Sequence, residues 1–167
     1  SGIPKEAFGR IMALHKEGLA KMDPSGDAFD MTKVITVRGP KDAMESVLLG
    51  FKNTEKDKSG EIFFGNANTN PVSISDEEGR PMKFRVDETL AAPYKNKHLL
   101  TLNQPWKLGE RKTFCMEFPF GKGLSDDGME MRAETDGSVS LKMATTIGMA
   151  GVPQFFVLIP SGYRMKS

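Results

Sequence analysis

Apolar and polar residues alternate along most of this chain, most regularly between residues 61 and 163. Clusters of glycine, aspartate, asparagine and proline separate the alternating segments, which is typical of short, half-buried strands joined by turns. The pattern predicts a mainly β fold, in which two packed antiparallel sheets are favoured and a small barrel is the alternative. The apolar positions of the predicted strands are Phe84/Val86, Leu100/Leu102, Phe114/Met116/Phe118, Met129/Met131/Ala133, Val139/Leu141/Met143 and Phe155/Val157/Ile159.

The first 22 residues follow a different period. Their apolar residues fall on one stripe of an amphipathic helix that the sequence predicts from Pro4 to Met22, and His15 lies on the same stripe. Pro4 suits the first turn of a helix, where its missing N–H removes no hydrogen bond. The predicted organisation is therefore an N-terminal helix and linker over residues 1–30, followed by a β-sandwich domain over residues 31–167.

The segment between the helix and the regular alternation is less uniform. Residues Met31 to Arg38 form a predicted strand, which Gly39-Pro40 ends. From Lys41 to Phe51 the apolar spacing fits both a helix and a strand, and we interpret it as a short helical turn followed by a strand over 48–52. The charged stretch 54–60 is then interpreted as a hairpin loop that leads into the next strand.

Charge and composition exclude several classes of function. The chain has 23 Lys and Arg against 22 Asp and Glu, and no basic stripe with interleaved aromatic residues, so a nucleic-acid partner is not expected. Its longest apolar run, from Phe155 to Pro160, is too short to span a bilayer. Cys115 is the single cysteine and cannot form a disulfide within the chain. The start at Ser1-Gly2, without a methionine, indicates an excised or processed segment.

Acidic residues are densest around two predicted turns. Asp126 and Asp127 precede one glycine, and Glu134 and Asp136 precede the next. Asp-Gly is a strong hairpin-turn dipeptide, which explains both acidic groups without a ligand. A strand between them would hold the two turns about 15 Å apart. The segment 55–66 has the glycine of a calcium loop but lacks the bidentate glutamate, so no metal site is predicted.

The residues with reactive side chains are few and scattered. His15 is expected to pack within the helix stripe, His98 to lie at the surface, and Cys115 to be a structural thiol on a strand. A nucleophilic cysteine requires a neighbouring base, and zinc requires further ligands at defined spacing. The sequence shows neither, so we expect no catalytic residue, no cofactor and no enzymatic activity.

Three aromatic residues remain as candidate contact residues. Trp106 lies in a predicted loop, where exposed aromatic side chains of sandwich domains commonly bind partners. The alternative for Trp106 is that its ring folds back over the end of the core. Tyr94 and Tyr163 lie in similar turn-rich surroundings, and the predicted binding residues are therefore Trp106, Tyr94 and Tyr163.

Three segments of the second half resemble a known type of module: Asn70 to Phe84, Leu102 to Arg111 and Gln154 to Tyr163. In this type of module a strand ends in a Pro–Gly turn, and a Leu-Gly-Glu-like turn starts a long strand. The pattern, over residues 69–167, is similar to immunoglobulin-like β-sandwich modules that accompany peptidase or transglutaminase-like domains in bacterial multidomain proteins. The resemblance implies an immunoglobulin-like sandwich and carries no catalytic residue over to this chain.

The function that follows is a non-catalytic interaction module that contacts another protein or a neighbouring domain. A module that binds carbohydrate or another small ligand through its loop aromatics is the alternative, and an enzyme that uses the acidic turns or His98 with Cys115 is the third hypothesis. The sequence leaves the compartment open, with export to the periplasm or cell surface among the alternatives.

Overall fold

A computed structural model describes residues 2–22, 29–121, 130–142 and 151–166. Within these ranges the chain forms one α-helix and ten strands. The elements are α1 (Lys5–Met22), β1 (Phe29–Gly39), β2 (Asp42–Lys52), β3 (Glu61–Ala67), β4 (Ser73–Ser75), β5 (Phe84–Asp87), β6 (Asn96–Thr101), β7 (Arg111–Pro119), β8 (Glu130–Ala133), β9 (Val139–Lys142) and β10 (Gly151–Leu158).

The strands are arranged in three sheets. The largest has the order β10-β1-β2-β7-β4, the second has the order β3-β6-β5, and β8 pairs with β9. The predicted mainly β class with an N-terminal helix is confirmed. One pairing departs from an all-antiparallel arrangement, because β10 runs parallel to β1, with Phe29 opposite Gly151 and Thr36 opposite Leu158.

The main core lies between the five-stranded and the three-stranded sheet. Val47 and Phe114 point into it from the large sheet, and Leu100 points into it from β6; each is at most 1% exposed. Alternate residues of a strand point to opposite faces, so the period-two pattern of β6 and β7 places these side chains together. Two layers that share one apolar interior define a sandwich.

The helix covers the other face of the five-stranded sheet. Ile11 and Met12 pack there in one buried cluster with Val34 and Leu48. The predicted amphipathic helix is confirmed, with its start at Lys5. Because the stripe of α1 and the sheet bury each other's apolar side chains, the helix docks on its own chain.

Two predictions for the segment 41–60 are wrong. Residues 42–52 form one continuous strand, because β2 is hydrogen-bonded to β1 on one side and to β7 on the other. Pairing along both edges overrides the helical spacing of its apolar residues. The charged stretch that follows is no hairpin loop, since it connects β2 of the large sheet with β3 of the small one.

The strands β8 and β9 form a hairpin. Gly137 takes a φ of 84° at its turn, a conformation that favours glycine. The turn at Asp136-Gly137 is thus confirmed, whereas Asp126 and Asp127 lie outside the described residues. Met131 and Leu141 pack from this hairpin on a small cluster of the large sheet around Ile35.

Candidate functional site

The outward side of the three-stranded sheet carries the most exposed apolar strand residue of the described chain. Ile62 and Leu100 point into the core, so their neighbours in β3 and β6 point away from it. Phe63 lies opposite Leu99, and Arg85 of β5 lies opposite Leu99 on its other side. These residues, with the flanking Glu61 and Lys97, are termed the outer face: Glu61, Phe63, Arg85, Lys97 and Leu99.

Phe63 lies on the edge strand β3 of the outer face, beside Leu99 on the central strand β6. Its side chain is 55% exposed, although it is held in a strand rather than a loop. The Nζ atom of Lys97 lies 5.7 Å from the centroid of the ring, within the range of a cation–π contact. Arg85 donates hydrogen bonds of 2.8 and 2.7 Å to the two carboxylate oxygens of Glu61. The result is an apolar centre bordered by charged groups.

The other large exposed apolar side chains of the described residues lie outside the strands, on the helix surface, in loops and in the segment after β10. They are Leu14, Val72, Tyr94, Leu108, Ile159, Tyr163 and Met165. Phe63 differs from the loop residues among these because the pairing of β3 with β6 holds its backbone in a strand. A contact made by Phe63 would therefore require little ordering of the chain.

The predicted binding residues Tyr94 and Tyr163 are exposed, at 56% and 41% respectively. Tyr94 precedes β6, next to Lys95, whose N–H donates a 3.3 Å hydrogen bond to Asn68. Tyr94 thus stands at the end of the sheet that bears the outer face. Tyr163 instead follows β10 of the five-stranded sheet, so the two tyrosines adjoin different sheets.

The expectation that Trp106 is an exposed loop residue is wrong. It is 6% exposed, and its Nε1–H donates a 2.8 Å hydrogen bond to the carbonyl of Glu110. Its ring meets Phe114 edge to face at a centroid distance of 5.5 Å. Mutual 2.8 Å backbone hydrogen bonds with Lys58 fold the loop back over the core. The alternative of a ring that covers the core is the one the structure shows, and it leaves no exposed stacking face.

A second set of polar residues lies buried beneath α1. The Nε2 atom of His15 lies 3.2 Å from the Asp30 carboxylate, and its Nδ1 lies 2.5 Å from the Thr32 hydroxyl oxygen. Arg111 reaches the same carboxylate oxygen at 3.2 Å. A methyl group at Gly50 would overlap the Asp30 carboxylate, so glycine at this position makes room for it. These side chains form the helix-docking cluster: His15, Asp30, Thr32 and Arg111.

The helix-docking cluster has the connectivity of an acid–imidazole–hydroxyl relay, but the three relay groups are buried, and only Arg111 is partly exposed. Thr32 is 0% exposed, and His15 covers it from the helix side. Burial raises the pKa of the Asp30 carboxyl, while the contacts with His15 and Arg111 lower it by more, so that the net shift is downward. The cluster accordingly holds an ionised carboxylate that fixes the helix on the sheet.

The other candidate reactive groups lie apart. Cys115 is buried on the helix side of β7, and burial together with the Glu117 carboxylate raises the pKa of its thiol to about 12. His98 lies in β6 of the other sheet, where burial lowers its pKa and its Nε2 contacts Asn70 at 3.1 Å. It is therefore buried, contrary to the surface position expected. Among the described residues no three His, Cys, Asp or Glu side chains converge as metal ligands.

A cleft of about 490 Å³ opens between the β4–β5 turn and the β6–β7 loop. Its acidic wall is already paired: Asp76 accepts hydrogen bonds from Arg80 and Asn103. Glu77 accepts one from Lys16 and one from the N–H of Thr113. Asp76 therefore stabilises the turn, and Glu77 joins the turn to α1 and β7.

The sequence reasoning did not single out Phe63, Asp30 or Arg111. By its pattern Phe63 is one more apolar residue of a predicted strand. The sequence does contain a signal for the cluster. Asp30 is an isolated acidic residue next to the β-branched run of β1, and His15 lies on the apolar stripe of the helix. Pairing a buried histidine with a carboxylate would have suggested where the helix docks.

Comparisons with known proteins find similar solved structures but assign the chain to no family. No known protein family and no curated protein matches the chain. An M1 zinc metallopeptidase from Deinococcus radiodurans is similar at 14% identity and a TM-score of 0.41, over 80% of this chain and 33% of that one. An inactive mutant of the GH20 exo-β-N-acetylglucosaminidase from Vibrio harveyi is similar at 11% identity and a TM-score of 0.30. That match covers 84% of this chain and 20% of the glycosidase.

These two solved structures are much longer than this chain, which spans a third or less of each. At such TM-scores the likeness defines neither a family nor a function. Within the described residues, no helix has the length and the apolar composition needed to cross a membrane.

Proposed function

We propose that this chain is a non-catalytic accessory module whose outer face binds another protein or a neighbouring domain. The observation that carries the proposal is the ring of Phe63, which is more than half exposed although its backbone is hydrogen-bonded in the three-stranded sheet. An aromatic anchor surrounded by charged groups is the usual composition of a protein-binding patch.

The expected contribution of this anchor is modest but measurable. Burying a whole phenylalanine side chain contributes about 1.5–3 kcal/mol, so covering the exposed half of Phe63 would contribute roughly 1 kcal/mol. Leu99 beside it adds further apolar area, since it is only partly buried. The ion pair of Arg85 with Glu61 lies at the rim and contributes more to the selection of a partner than to affinity.

We also propose that the chain is not catalytic, because of where its reactive side chains lie. The acid, imidazole and hydroxyl groups beneath α1 are buried, and the thiol of Cys115 is held protonated by its buried surroundings. His98 and Cys115 belong to different sheets, so a joint role for them as base and nucleophile has no geometric support.

Site-specific photocrosslinking in the source organism tests the proposal. A photoreactive phenylalanine analogue replaces Phe63, and in a matched control it replaces Leu108, which is equally exposed but lies in the β6–β7 loop. We expect a defined protein adduct from position 63 that Leu99→Arg abolishes, and none from position 108. Equal adducts from both positions, or an adduct from position 63 that ignores Leu99→Arg, would refute the outer face as the binding surface.

Carbohydrate is the second candidate ligand, favoured by the exposed ring of Tyr94 at the end of the same sheet. Aromatic faces stack on the apolar side of sugar rings. Titration of the chain with soluble oligosaccharides, with Tyr94→Ala and Tyr163→Ala as paired variants, tests this candidate. Binding that Tyr94→Ala removes and Tyr163→Ala retains would support it, and the lack of any binding would exclude the sugars tested.

A further inference from the structure

The strand β10 forms one edge of the five-stranded sheet. Among the described residues its only strand partner is β1, which leaves the backbone groups along its other side without a strand. The strand is eight residues long and contains no charged residue. The side chains of 155–158 are all half-buried, so apolar surface on both faces of this strand stays accessible.

The two edges of this sheet are protected to very different degrees. Proteins normally protect an edge by making it short, by placing charges on it or by interrupting it with proline. The opposite edge, β4, is only three residues long and polar on either side of Ile74. On β10 a proline occurs at position 153, and the five residues that follow it, 154–158, carry none of these features.

We infer that β10 is a self-association edge, on which β10 of a second copy pairs antiparallel about a two-fold axis. In such a contact each residue near the axis lies close to its own counterpart, so a charged residue would repel itself. β10 has no charge to repel, and Phe155 near its middle would form an aromatic cross-strand pair with its own counterpart. A second copy is therefore the occupant that this strand fits.

The size of the edge sets the strength of the association. Eight residues at about 3.3 Å each span roughly 26 Å, and one sheet layer is about 10 Å thick. The edge would bury about 260 Å² per copy, well below the roughly 800 Å² per partner of a standard stable interface. The dimer should accordingly be weak and should form only at high protein concentration.

Sedimentation velocity over a concentration series tests the inference with two charge variants. Phe155 belongs to none of the buried apolar clusters, so Phe155→Lys and Phe155→Glu should leave the fold intact, which circular dichroism verifies. We expect concentration-dependent dimerisation of the native chain, its loss in each variant alone, and its recovery when the two variants are mixed. The control Ser73→Lys, on the opposite edge, should dimerise as the native chain does.

Two results would overturn the inference. One is a native chain that stays monomeric throughout the series, and the other is a pair of Phe155 variants that dimerise separately as well as they do together. Hydrogen exchange on the dilute monomer gives an independent check. Alternate β10 amides should exchange rapidly, whereas protection of every β10 amide would mean that the chain itself covers the edge.

Discussion

Removing the carboxylate of Asp30 should destabilise the whole domain, because this group joins the helix to the sheet. Its side chain is 3% exposed and lies 3.2 Å from both His15 and Arg111. Asp30→Ala leaves an imidazole and part of a guanidinium without their acceptor, and removing one partner of a buried pair costs about 3–5 kcal/mol. Arg111 retains 21% exposure, so solvent replaces part of the lost contact and the lower end of the range applies.

Urea denaturation followed by circular dichroism measures this loss as a change in the free energy of unfolding. The double variant Asp30→Ala/His15→Leu provides the control, because it removes the imidazole that Asp30→Ala leaves unpaired. Residues in direct contact should deviate from additivity by about 0.5–3 kcal/mol, with the double variant more stable than the sum of the singles predicts. A loss below about 1 kcal/mol for Asp30→Ala, or strict additivity, would refute a docking role for this cluster.

Three further predictions concern the same interface and the core. Gly9→Ala should stabilise α1 by about 1 kcal/mol, since the added methyl group meets nothing within 4 Å. Gly18→Ala should stabilise it less, because the methyl group displaces the Gln154 side chain from the carbonyl of His15. Urea denaturation midpoints compare the two variants. Because the pKa of Asp30 is lowered in the folded state, its carboxylate stabilises the fold above about pH 4, and this contribution is lost as the pH falls further. Asp30→Asn should therefore make the free energy of unfolding less dependent on pH in the acid range. Cys115, with a pKa of about 12, should resist iodoacetamide in the folded chain and react once urea unfolds it; fast labelling of the native chain would contradict the buried site.

The sequence reasoning succeeded where a single local pattern decided the structure. The stripe of Phe8, Ile11 and Met12 has helical spacing, and the chain forms a helix there. The alternation of Phe114, Met116 and Phe118 places those side chains in the core between the sheets. In both cases the period of the apolar residues matches one regular element, which makes the element recognisable without a tertiary partner.

It failed where the outcome depended on partners distant in sequence. Residues 42–52 became one strand because β1 and β7 pair with it on both sides, and no local pattern encodes that pairing. Trp106 became a core residue because Lys58, far from it in sequence, pairs with its backbone. The exposure of Phe63 likewise follows from which face of β3 meets the other sheet, and this depends on strand order.

Crosslinking from position 63 tests the central claim, that the outer face is a protein-binding surface, most directly. The account predicts one adduct whose mass spectrum identifies a polypeptide, either another protein or another domain, joined at position 63 and absent from the control at position 108. An adduct that proves to be glycan, or no adduct from position 63, would contradict it.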